Sequence, residues 1–134
     1  MSYLLDTNIL IGYYAENLPE NIMEFVEQVI GDSFNISFVN RIEVLGYPQL
    51  TAQQIVDLET SFLDANEFRV DDGIISRAIL ISRAYNLRAA DAIIAATAIE
   101  NNLHLVTNDA EFNKANKELT VVNPFMQIPP FIIK

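Results

Sequence analysis

The segment Ala89-Ala90-Asp91-Ala92-Ile93-Ile94-Ala95-Ala96-Thr97-Ala98-Ile99, followed by Leu103-His104-Leu105-Val106-Thr107-Asn108-Asp109, decides the fold. The first run is apolar on almost every side, so its pattern predicts a buried helix over 89–101. The second predicts a strand over 103–107 that ends on polar residues. Working back toward the N-terminus, the same alternation repeats. A helix is expected over 71–85, with Asp71 or Asp72 able to cap it, after a short strand over 68–70. A helix over 51–64 has Thr51 as its cap. A short helix over 40–45 is stopped by Gly46 and Pro48, and a strand over 34–37 precedes it. In 20–30, Ile22, Phe25, Val26, Val29 and Ile30 form one stripe opposite Glu20, Glu24 and Glu27, and Gly31 is read as the stop. Residues 7–15 can be helical, and Tyr3–Leu5 is an apolar strand ending at Asp6. Downstream, a short helix from Asp109 leads to a last strand over 119–122. Pro124, Pro129 and Pro130 make the tail irregular.

Strands alternating with helices predict an α/β fold with a mainly parallel central sheet and helices on both faces. No repeat or linker interrupts it, and 134 residues suit one domain, 1–134. Hydrophobic residues make up 51% and charged residues 19%, which excludes a disordered chain. The lack of cysteine excludes disulfides, zinc–thiolate sites and thiol nucleophiles. No apolar run reaches the roughly 18 residues of a membrane helix, and the start lacks the basic, apolar pattern of a signal peptide. The expectation is a soluble, cytoplasmic protein.

The net charge of −10 argues at first against a nucleic-acid partner. Its distribution says more than its sum. Lys and Arg are absent before Arg41, five arginines fall between Arg41 and Arg88, and lysines stand only at 114, 117 and 134. Such arginines either solvate helix faces or form a phosphate-facing patch beside an acidic site.

In a parallel sheet, sites form beyond the carboxyl ends of the strands. Asp6 directly follows the first strand, and Asp109 lies just past the strand over 103–107. Glu43 is on the helix after the second strand. Asp91 opens the helix leading into the 103–107 strand. Each has a purely structural alternative. Asp6 and Asp109 suit helix caps. Glu43 suits an exposed helical glutamate paired with Arg41. Asp91 is harder to explain this way. A helix N-terminus stabilises a carboxylate by only about 0.3–1 kcal/mol, little against the cost of desolvating it. A metal or a cationic side chain answers that cost better. Carboxylates are the hard oxygen donors that Mg2+ and Mn2+ prefer. His104, the only histidine, sits inside a strand and reads as structural. P-loop, GxGxxG and HExxH patterns are absent.

Taken together, Leu4-Leu5-Asp6-Thr7-Asn8-Ile9-Leu10, Arg41-Ile42-Glu43-Val44-Leu45-Gly46 and Leu87 through Phe112 resemble the PIN-domain nucleases, and within them the VapC-type toxins of toxin–antitoxin pairs. The resemblance implies an acidic quartet, Asp6, Glu43, Asp91 and Asp109, binding Mg2+ or Mn2+ and supported by Thr7, Asn8, Thr107 and Asn108. It also implies endoribonuclease activity on an RNA substrate, a homodimer, and an antitoxin protein whose tail enters beside the acids. Ala90 stands where the family often has proline. The fourth position is open between Asp109 and Asn108, with Asp109 preferred for its charge. A PIN-like domain that only binds protein or RNA partners is the alternative. A phosphoryl-accepting receiver would need an acidic pair at the first strand and a late-sheet lysine, whereas no lysine precedes Lys114. A haloacid-dehalogenase-type phosphatase would need an aspartate where Asn8 stands.

Overall fold

The computed structural model describes residues 1–130, so the end of the expected 1–134 domain lies outside the described residues. Five parallel strands form one sheet: β1 (Tyr3–Leu5), β2 (Asn35–Ser37), β3 (Asn66–Phe68), β4 (His104–Val106) and β5 (Val121–Val122), in the order β3-β2-β1-β4-β5. The helices are α1 (Thr7–Tyr14), α2 (Glu20–Asp32), α3 (Phe38–Leu45), α4 (Ala52–Phe62), α5 (Asp72–Tyr85) and α6 (Ala89–Glu100), with a 3₁₀ helix over Ala110–Ala115.

Strand alternation divides the core. Tyr3 and Leu5 of β1, with Val106 of β4, pack against α1, α2 and α4 on one face. Leu4 and Leu105 point the other way, into α5, α6 and the 3₁₀ helix. α6 has no polar stripe because it is enclosed: Ala92, Ile94, Ala95, Ala96 and Ala98 are all buried. The mainly parallel sheet expected from sequence is thus parallel at every described pairing, with helices on both faces. Among the described residues, no helix is long and apolar enough to cross a membrane.

Local chemistry accounts for the differences from the sequence reading. α3 begins at Phe38, two residues early, because Ser37 and Asn40 form a capping box: the Ser37 hydroxyl accepts from Val39 N–H, and Asn40 Oδ1 accepts from Ser37 N–H. Gly31 does not end α2. It lies inside the helix with open space beside it, and the chain leaves the helix at Ser33. β3 sits two residues earlier than the apolar pattern indicated. Asn66 N–H donates to Phe34 O and Asn66 Nδ2 to Asn35 Oδ1, so the ladder is fixed by polar groups, and Val70 is exposed. The last strand is shorter than expected, being confined to Val121–Val122. Thr51 and Asp71 cap α4 and α5 as expected, and Gly46 caps the end of α3.

Candidate active site

The order β3-β2-β1-β4-β5 puts β1 at the centre, and the chain leaves its carboxyl end at Asp6. Asp6 is 4% exposed, yet it does not cap α1 with its side chain. Its carboxylate is instead held by neighbouring side chains. Thr107, just beyond the adjacent β4, donates its hydroxyl to Asp6 Oδ2 at 2.7 Å. Asn8 Nδ2 reaches the same oxygen at 3.4 Å, and Asn40 Nδ2 reaches Oδ1 at 3.4 Å. These donors favour the charged form, but burial outweighs them. Burial, with smaller contributions from Glu43 and Asp91, pushes the Asp6 carboxyl up to about 6.

From this centre the network runs both ways. Asn40 also donates to Thr7 Oγ1, and Thr7 donates to Glu43 Oε1 at 2.7 Å. On the β4 side, Thr107 Oγ1 accepts from Asp109 N–H, while Asn8 Oδ1 accepts from Asn108 N–H. Glu43 is exposed; it is turned toward Thr7, not toward Arg41 as its purely structural alternative had it. Arg41 reaches across to Glu67 on β3 instead, where Arg69 joins it. Asp109 caps the 3₁₀ helix, accepting from Glu111 N–H, in line with its structural alternative. Asn108 Oδ1 is engaged by Asn123.

Asp91 lies on the first turn of α6 and is 8% exposed. Burial raises its carboxyl above the ordinary value. Arg88, 3.7 Å away, opposes that, and the charges of Asp109, Glu43 and Glu111 add to it. So the cationic side chain that the sequence left open for Asp91 exists, but Arg88 is mostly exposed and does not cancel the burial. The four acids named from sequence therefore share one electrostatic neighbourhood at the carboxyl edge of the sheet. Asp91 feels the charges of Glu43 and Asp109, and Asp6 those of Glu43 and Asp91.

Among the described residues, no three acids as placed stand close enough together to share one ion. Of the two buried carboxylates, Asp6 is held by three side-chain donors and Asp91 has Arg88 beside it. The two peripheral ones, Glu43 and Asp109, are turned to protein donors. The donor set nevertheless fits a hard divalent cation: all-oxygen, anionic, and with buried charge that lacks full compensation.

Two further residues belong to the site and were not singled out from sequence. Asn40 is fully buried and ties Asp6, Thr7 and the start of α3 together. Its signal was the Ser37-x-x-Asn40 spacing. Glu111 adds a charge that Asp91 feels, and its sequence context looks like an ordinary first-turn acid. The arginine patch does not form as a unit, since Arg77 pairs with Glu100 and Glu118, and Arg41 and Arg69 with Glu67. His104 makes an edge contact with Tyr3, 6.1 Å between ring centres, at the opposite end of β4.

This arrangement of acids on this strand order has relatives. The sequence pattern of the PIN domain matches residues 3–118. The chain belongs to the PIN-domain family. Its fold is similar to a chain in a toxin–antitoxin complex from Klebsiella pneumoniae, at 26% identity and TM-score 0.73, covering 92% of this chain and 98% of that one. It is equally similar to a chain of VapBC-1 from nontypeable Haemophilus influenzae, at 26% identity and TM-score 0.74 with the same coverage. VapBC2 from Rickettsia felis, solved with a fragment of promoter DNA, shares the fold at 20% identity and TM-score 0.76, again over 92% and 98% of the two chains. No curated protein sequence matches. The resemblance to VapC-type PIN domains drawn from the motifs is therefore met by family and by fold.

Proposed function

We propose that this PIN domain is a divalent-metal-dependent endoribonuclease, the toxin of a type II toxin–antitoxin pair, acting in the cytoplasm. One observation carries the reading: two buried, incompletely compensated carboxylates, Asp6 and Asp91, sit with Glu43 and Asp109 at the carboxyl edge of the sheet. Mg2+ or Mn2+ held there would draw in the scissile phosphate, acidify an attacking water and stabilise the leaving oxygen. The chain's own contribution is placement. Asp6 and Asp91 would be the fixed ligands, Glu43 and Asp109 the adjustable ones. Thr107 and Asn40 orient the Asp6 carboxylate, and Thr7 orients Glu43. Asn8 ties Asp6 and Thr107 to the backbone at Asn108, so the ends of β1 and β4 hold a single geometry.

An antitoxin partner is supported by the two relatives at 26% identity, both from toxin–antitoxin assemblies. A homodimer is supported by the exposed apolar side chains Ile75 and Ile79 of α5, which line one cleft with exposed Val70. The test is cleavage of structured and unstructured RNAs by antitoxin-free protein with Mg2+ or Mn2+. Asp6→Asn and Asp91→Asn should abolish cutting. Equal rates for wild type and both variants would refute the assignment. A PIN-like domain that only binds partners is the second reading, favoured by the spread of the acids as placed. Calorimetric titration with Mn2+ separates the two, since absence of saturable binding selects the binding domain.

A further inference from the structure

Beside the acids, and continuous with them, is a cleft of about 400 Å³, within the roughly 300–1,000 Å³ range of small-molecule sites. It shares Thr107 and Asp109 with the acidic site and extends outward along β5, the edge strand of the sheet. Its chemistry differs sharply from that of the acids. Val122 and Met126 offer apolar surface, and Asn113, Asn123 and Gln127 offer carboxamides. Neither Lys nor Arg is among its described lining residues, so it is not built to hold a phosphate.

We propose that this cleft takes a nucleobase of the RNA strand, next to the phosphate positioned at the acids, and so sets which sequence is cut. The inference rests on the nuclease reading for its RNA, and on the cleft alone for its base. A carboxamide carries both a donor and an acceptor, which matches the mixed edge of a base and distinguishes one base from another. An apolar wall suits the base's faces. Among the described residues, the side chains of Asn113 and Gln127 have no protein hydrogen-bond partner, so their amides are open to a ligand. Asn123 is already oriented: its Nδ2 donates to Asn108 Oδ1, and its Oδ1 accepts from Phe125 N–H. That bond links the cleft to the residue beside Asp109. A base in the cleft therefore sits one short step from the acids, close enough for its recognition to bear on where the backbone is cut.

The test uses the whole chain without divalent metal. The side-chain amide signals of Asn113, Asn123 and Gln127 are followed by NMR during titration with each of the four ribonucleosides and with ribose 5-phosphate. At least one nucleoside should move these signals, ribose 5-phosphate should not, and Asn113→Ala or Gln127→Ala should weaken the response about fivefold or more, the scale of one lost hydrogen bond. With metal present, the same variants should change the base preference beside the cut and raise KM while kcat is kept. No movement with any nucleoside together with an unchanged cleavage map would overturn the inference and leave the nuclease reading standing. Movement by ribose 5-phosphate equal to that by the nucleosides would overturn it as well. Nucleoside binding in a protein that cuts no RNA would uphold the base site and sink the nuclease reading.

Discussion

Replacing Asp6 by asparagine in metal-free protein should reverse the order of stability between acid and neutral pH. The Asp6 carboxyl stands at about 6 in the folded chain against 3.8 as the ordinary value. The folded state therefore holds its proton more tightly. The stabilisation from keeping that proton is fully present below 3.8 and is lost as pH rises through about 6. At about 1.4 kcal/mol per pH unit, the ionised carboxylate costs the fold about 3 kcal/mol at pH 7 and above. The substituted carboxamide does not titrate, but it is not free of cost. Its oxygen can keep the Thr107 hydroxyl, and its NH2 then faces Asn40 Nδ2, two donors where a bond stood. That lost bond is worth about 1 kcal/mol. The variant should thus be about 2 kcal/mol more stable than wild type at pH 7–8, and about 1 kcal/mol less stable below pH 4. The curves should cross near about pH 4.5. For a domain of this size the neutral-pH gain is roughly 8 °C in Tm. The assay is urea or thermal unfolding in chelator from pH 4 to 8, followed by circular dichroism. Parallel curves for wild type and variant across that range would refute the claim that Asp6 is a buried, undercompensated charge. Adding Mn2+ should then stabilise wild type and leave Asp6→Asn nearly unmoved.

Thr107→Val removes the hydroxyl that donates to Asp6 and accepts from Asp109 N–H, so urea unfolding should show a loss of about 1–3 kcal/mol. The loss should be larger at pH 8 than at pH 4, because the hydroxyl supports the charged form of Asp6. Asn40→Ala should cost about 1–2 kcal/mol through the broken capping box and the freed Asp6 oxygen; Asn40→Asp, which sets a carboxylate against Asp6, should cost more at pH 8 than at pH 5. Asn86 ends α5 with φ 55°, in the left-handed region, so Asn86→Gly should raise Tm slightly, by less than about 1 kcal/mol in stability.

Sequence carried the architecture because the apolar pattern is dense where the sheet is central. β1 and β4 and the helix α6 lie in the interior, and their residues could not have been placed elsewhere without exposing Leu4, Leu5, Leu105 and Val106. It read β3 poorly because β3 is an edge strand. Its ladder is fixed by Asn66 and Asn35, and its Glu67 pairs with Arg41 and Arg69; none of these leaves a hydrophobic period. The end of α2 was misplaced for a related reason: Gly31 is exposed and crowds nothing, so the helix tolerates it.

The site was legible in a different way. Buried carboxylates are conspicuous in apolar sequence, which is why Asp91 stood out and why Asp6 could be placed from its strand. What one chain could not show is how each is held. Asp6 stands at the N-cap of α1 but does not cap it with its side chain, whereas Asp109 caps its 3₁₀ helix with its carboxylate. The difference is long-range. Asp6 meets Thr107, 101 residues away, and Asn40, 34 residues away, and both contacts exist only because β2 and β4 flank β1. Strand order thus converts three separate polar side chains into one cradle. The same order leaves Glu43 and Asp109 at its rim, Glu43 bonded to Thr7, 36 residues away, and Asp109 to the nearby Glu111 N–H. In the metal site proposed above, Asp6 is the acid already held in place, and the two rim acids are the ones that would have to turn. Thr7–Glu43 and Glu111–Asp109 lie at the water-exposed rim, so water can replace each donor and the net cost of opening either bond is small.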